Sequence, residues 1–118
     1  MAETILEEKM SEIVAAAASE KKAQDIVILD MRKVFPVTDF FIIASGRSTT
    51  QSQAIADSIE EKMEEAGHRA LHKEGYREAH WILLDYGSVV AHVFVDEDRR
   101  FYNLEQLWAD APSRRYED

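Results

Sequence analysis

The sequence predicts an α/β (α+β mixed) domain, a single mixed β-sheet of about five strands with helices packed against it. Three observations carry this. Within residues 80–95 two apolar runs flank Asp85, Tyr86, Gly87 and Ser88, the pattern of an antiparallel hairpin closed by a turn that Gly87 can take with positive φ. Two further short apolar runs, 25–31 (DIVILDM) and 39–44 (DFFIIA), are bounded by charge or by a Pro36 loop. Two longer stretches, about 3–20 and 48–66, place apolar residues at helical spacing.

Taken in order, the first helix carries Ile5, Leu6, Met10, Ile13, Val14 and Ala17 at spacings of three, four and seven. Glu3, Glu7, Glu8 and Glu12 suit its positive N-terminal end, and Lys21 and Lys22 its negative C-terminal end. The runs 25–31 and 39–44 form an antiparallel pair. Ser45-Gly46-Arg47-Ser48 turns the chain into the second helix, where Ser48 and Gln51 make a capping box. Ile55, Ile59 and Met63 form its apolar stripe, and Gly67 stands at a left-handed C-cap. A weak strand at 69–72 follows, and the helical crossover from 39 to about 72 implies a parallel pair.

The hairpin comes next. Val89, Ala91, Val93 and Val95 alternate with Val90, His92 and Phe94, so both faces are mostly apolar and the strand belongs in the middle of the sheet. Trp81, Leu83 and Asp85 alternate with Ile82, Leu84 and Tyr86. Asp96 and Asp98 lie in an acidic turn, Asn103 caps a short helix at 104–108, and residues 112–118 fray.

The whole of 1–118 reads as one domain, with the N-terminal helix over about 1–22 and no internal repeat. The chain has no cysteine, which excludes disulfides and thiolate metal sites and points to a reducing cytoplasm. No run reaches the roughly 20 apolar residues of a membrane span, and the acidic N-terminus is unlike a secretory signal. With 14 Lys+Arg against 23 Asp+Glu, the net charge is −9. Such a surface repels phosphate backbones and suits a basic protein partner, so no direct nucleic-acid partner is expected.

Catalytic patterns are sparse. Ser45-Gly46-Arg47-Ser48 resembles the Gly-Ser turn of nucleotidyltransferases, but that chemistry needs two metal-binding carboxylates at i, i+2 on one strand. Asp96 and Asp98 are the only such pair after the second helix, and they lie past the last strand. His68 and His72 follow the helix-ending Gly67, where their i, i+4 spacing does not bring them together. His92, on an apolar strand, reads first as a hydrogen-bonded core histidine; its best functional role would be to orient something at the sheet. No catalytic residue, metal or cofactor is expected. Trp81 beside Asp85 is either a core indole or an interface anchor whose acid pairs with Lys or Arg.

The segments DIVILD (25–30), TDFFIIASGRS (38–48), IADSIEEKMEEAG (55–67), EG (74–75), WILLDYG (81–87), HVF (92–94) and YNLEQLW (102–108) occur in an order and spacing that resembles the ribosomal silencing factor family (RsfS, also called Iojap-like). The resemblance runs from about residue 23 to 112. It implies a non-enzymatic factor in the cytoplasm, monomer or homodimer, with a nucleotidyltransferase-like topology lacking the catalytic carboxylates. It further implies binding to the large ribosomal subunit through ribosomal protein number fourteen, blocking association with the small subunit and repressing translation under nutrient limitation. The family's W-x-x-x-D-[YFL]-G motif places partner binding on Trp81, Leu83, Leu84, Asp85 and Tyr86, with Trp81 and Tyr86 expected to be open to solvent. Ser88 stands where the family often has an acid. The rival reading is a divergent metal-dependent nucleotidyltransferase built on 45–48 with Asp96 and Asp98.

Overall fold

The computed structural model describes residues 2–117, with side chains from residue 6 onward. Glu3 and Ile5, counted in the first helix, lie outside the described side chains. The elements run α1 (Ala2–Glu20), β1 (Gln24–Asp30), β2 (Phe40–Gly46), α2 (Thr49–Glu65), β3 (His72–Glu74), β4 (Trp81–Asp85), β5 (Val89–Val95), α3 (Asp96–Tyr102), α4 (Leu104–Leu107) and β6 (Ser113–Arg115). The six strands form one mixed sheet in the order β3-β4-β5-β2-β1-β6. Among the described residues no helix is long and apolar enough to cross a membrane.

The predicted antiparallel pair β1–β2 and hairpin β4–β5 are both present. The parallel pair is β2 with β5, which differs from the expected pairing across the α2 crossover. Burial explains the difference. After α2 the chain lays down the charged His72-Lys73-Glu74 at the sheet edge, where all three are exposed. It then returns through β4, so that β5, apolar on both faces, fills the place beside β2. The third strand also begins three residues later than the 69–72 expectation, because its register is set by pairing His72 with Asp85. A short charged edge strand has no apolar alternation to reveal it.

α1 and α2 cover one face, over Ile28, Phe40, Ile42, Ile82, Leu84, Val89 and Val93. α1 buries Met10, Val14, Ala17 and Ala18 but leaves Leu6 exposed, so its contact face is built largely on small residues that let it approach the sheet and α2 closely. The Ser58 hydroxyl donates to the Ala17 carbonyl at 2.9 Å, joining the two helices. At the start of α2 the Ser48 hydroxyl accepts from the Gln51 N–H at 3.1 Å. The return bond of the expected capping box reaches one residue further back, from Arg47 N–H to Gln51 Oε1 at 2.7 Å. The end of α2 is a Schellman motif: His68 N–H donates to Met63 O and Gly67 N–H to Glu64 O, with Gly67 at φ +93°.

Three stretches differ from expectation on the second face and the far edge. Residues 96–102 are a helix rather than an acidic turn. Asp96, Glu97 and Asp98 fill its first turn and Arg99 and Arg100 its last, each on the side its charge prefers. Asn103 does not cap α4 through its side chain; it takes a left-handed φ of 47° between α3 and α4, and its amide donates to Gln106. The tail does not fray over 113–115. It pairs antiparallel with β1, and ion pairs of Arg114 with Glu12 and Arg115 with Asp25 flank it. Two arginines on an exposed edge carry no hydrophobic signal, which is why composition alone reads them as a loose end.

Candidate functional site

The period of two along β4 sorts the five candidate residues into two groups. Ile82, Leu84 and Tyr86 point to the helix-covered face, and Leu84 is 0% and Tyr86 8% exposed. Burial pushes the Tyr86 phenol pKa up, and the Glu60 and Glu64 carboxylates of α2 push it further the same way. Trp81, Leu83 and Asp85 point to the other face and are half-buried. The expectation that Trp81 and Tyr86 lie largely open to solvent therefore fails. Tyr86 is core because its face lies under α2, and Trp81 is partly covered by aromatic neighbours.

Among the described residues, that second face carries no long helix. Phe35, Leu104 and Trp108 cover its β1–β2 side, packing on Leu29, Phe41 and Ile43. Trp108, half-buried against this cluster, has its ring centroid 5.3 Å from that of Phe35 and 6.2 Å from that of Phe41. Toward β4 the cover thins. Trp81 stacks on Phe94 at 4.9 Å and meets Tyr102 at 4.8 Å, while Leu83, next on the strand, is half-buried. The result is an aromatic and aliphatic strip at the border between covered and open sheet.

Trp81 is fixed by a bond that sequence reasoning did not foresee. Its indole N–H donates to His92 Nδ1 at 3.1 Å, across the β4–β5 pair. His92 is 4% exposed, and burial pushes its pKa down to about 4. The ring is thus neutral at pH 7. Accepting at Nδ1 places its proton on Nε2, which is buried with no hydrogen-bond partner among the described residues; the His92 and Phe41 ring centroids lie 4.6 Å apart, edge to face. The role expected of His92, orienting something at the sheet, falls on Trp81. The signal was present as a tryptophan and a histidine on facing strands, but only the register makes them neighbours.

Asp85 is hydrogen-bonded within its own turn: Oδ1 accepts from Gly87 N–H at 2.7 Å. This satisfies one oxygen of a half-buried carboxylate and shapes the hairpin. Among the described residues no cation lies within ion-pair distance of it.

The residues of the rival enzyme reading are brought together differently. Asp96 and Asp98 sit on a helix, where residues two apart diverge by about 200° rather than sharing a face. Asp98 bonds His80 Nδ1 at 2.9 Å. The end of the parallel pair β2–β5, where open α/β sheets hold ligands, is occupied by the Arg99 guanidinium. Arg99 is buried and bonds Glu105 at 2.9 and 3.2 Å, the Ser45 hydroxyl at 3.1 Å and the Gln24 carbonyl at 3.2 Å. Ser48 is engaged as the α2 cap. Ser45, Ser48 and Asp98 of that reading are thus each engaged in hydrogen bonds within the fold.

Comparison with known proteins agrees with this fold. Residues 4–118 match the family described as "Ribosomal silencing factor during starvation". The chain is 48% identical over 100 residues to ribosomal silencing factor RsfS of Bacillus subtilis, covering 85% of each chain. It is 40% identical over 100 residues to the chloroplastic protein Iojap of Zea mays, covering 82% of this chain and 42% of that one. A crystal structure of a Chromobacterium violaceum protein superposes with a TM-score of 0.85 at 34% identity, covering 86% of this chain and 85% of that one.

Proposed function

The chain belongs to the ribosomal silencing factor family, and we propose that it binds ribosomal protein number fourteen on the subunit-joining face of the large subunit and so keeps the small subunit from joining. The observation that carries this reading is the Trp81–Leu83 strip, a rigid, half-open apolar line on the face of the sheet that has no long helix. Trp81 and Leu83 supply the apolar contact and Asp85 offers an acceptor to a Lys or Arg of the partner. Leu84 and Tyr86 act from beneath, holding β4 against α2. The net charge of −9 favours a basic protein over bare ribosomal RNA.

The mechanism is steric. A ligand that binds the free large subunit but not the joined ribosome shifts joining by mass action, and ten-fold inhibition needs free factor at about ten times its Kd. Under nutrient limitation the outcome is lower translation, without catalysis, nucleotide or metal.

Binding to the isolated ribosomal protein should therefore be direct and saturable, with little affinity for naked ribosomal RNA at moderate salt. Magnesium-dependent nucleotide transfer should be absent. Tight RNA binding with a steep salt dependence would count against the reading. Turnover lost on changing Asp96 and Asp98 to Asn would replace it with the enzyme.

A further inference from the structure

We propose that a polar cavity at the C-terminal end of the parallel pair β2–β5 binds a small phosphate ester bearing free hydroxyls, the chemistry of a sugar phosphate. The cavity holds about 360 Å³ and, apart from Val27, every residue lining it is polar or charged. That volume is at the low end of small-ligand sites, about 300–1,000 Å³. It lies where β2 and β5 end beside the start of β1, the place at which open α/β sheets hold ligands. It shares no residue with Trp81, Leu83 or Asp85, so it is separate from the partner-binding strip.

The charges around the cavity select the ligand. Arg99 is its buried member, and donates four of its five N–H groups to Glu105, the Ser45 hydroxyl and the Gln24 carbonyl, which fixes its charge in place. Arg100 lines the same space, is exposed, and has no hydrogen-bond or ion-pair partner among the described residues. Arg115 enters from β6, paired with Asp25 at 2.6 Å through exposed side chains, a contact weak enough to re-form around an anion. The acids are already tied. Glu105 holds Arg99, Asp25 holds Arg115, and the Gln24 amide, turned so that both its groups are satisfied, donates to Asp96 at 2.8 Å. The charge left over is the positive one of Arg100, on a chain of net charge −9. Guanidinium groups match phosphate oxygens, while each carboxylate keeps spare acceptor positions for hydroxyl donors. Two lining residues also hold left-handed backbone without being glycine. Asp25 has φ +51° where β1 slips register against β2, and Asn103 has φ +47° between α3 and α4. Bulges and conformations of this kind gather at ligand sites.

The test is calorimetric titration of the full chain with ribose 5-phosphate, and separately with inorganic phosphate and with ribose, at low ionic strength. Wild type should bind ribose 5-phosphate saturably at one site, and bind the other two at least about ten-fold more weakly. Arg100→Ala should melt as wild type does, since its side chain is exposed, and bind ribose 5-phosphate about ten-fold more weakly, the scale of one charge-assisted hydrogen bond. Arg69→Ala removes an exposed arginine outside the cavity and should bind as wild type does. Unchanged binding by Arg100→Ala, or an equal loss in Arg69→Ala, would mean diffuse charge attraction and overturn the site. Equal affinity for inorganic phosphate would overturn the ester assignment. No saturable binding by wild type would overturn the proposal and leave the ribosomal reading untouched.

Discussion

Trp81→Ala is expected to damage affinity and stability together. Losing an aromatic anchor at the centre of an interface costs about 2 kcal/mol or more, roughly a thirty-fold loss of affinity. The fold suffers as well, because the indole is half-buried on Phe94 and its N–H satisfies His92 Nδ1. Removing it opens space at the β4–β5 face and leaves a buried nitrogen without its donor, at about 3 kcal/mol. Trp81→Phe should keep most of the packing and lose the hydrogen bond alone, at about 1 kcal/mol. Leu83→Glu separates the two effects, since a half-open strand position accepts a carboxylate with little loss of melting temperature while an apolar contact does not. Melting temperature and affinity of the folded fraction, measured on the same samples, check this. Near-normal affinity for the folded fraction of both Trp81→Ala and Leu83→Glu would remove this strip from the interface.

Acid should weaken the fold through His92. An unfolded histidine takes up its proton near pH 6.5, whereas the buried ring does so only near 4. Between those values the unfolded chain holds more protons than the folded one, so stability is full above pH 6.5 and falls as the pH drops toward 4. The gap corresponds to about 3 kcal/mol at its limit. His92→Asn retains an acceptor for the Trp81 indole and removes the titration. Chemical denaturation of both proteins from pH 7.5 to 4 should therefore show a shallower loss for the variant, whatever its starting stability. Parallel curves would mean that His92 takes up its proton in the folded chain as readily as in the unfolded one.

Much of the site was legible because its signals are local. The alternation of Trp81, Leu83 and Asp85 with Ile82, Leu84 and Tyr86 assigns two faces from the sequence alone, and the doubly apolar 89–95 run places β5 at the centre. Which β4 face lies under α2 is a tertiary fact, and for that reason Tyr86 was expected outside and is found inside. The Trp81–His92 bond depends on register, and the Arg99 network joins residues 75 positions apart. α3 and β6 escaped, and β3 was placed three residues early, because each is short and charged, so no apolar period marks it. Their partners, rather than their own composition, give them structure.

The central claim is tested most directly by sedimenting the protein with separated ribosomal subunits under conditions that allow joining. The account predicts that it migrates with the large subunit, is absent from joined ribosomes, and lowers the joined fraction as its concentration passes its Kd, while Leu83→Glu does none of these. Co-migration with joined ribosomes, or undiminished joining when the large subunit is saturated, would contradict it.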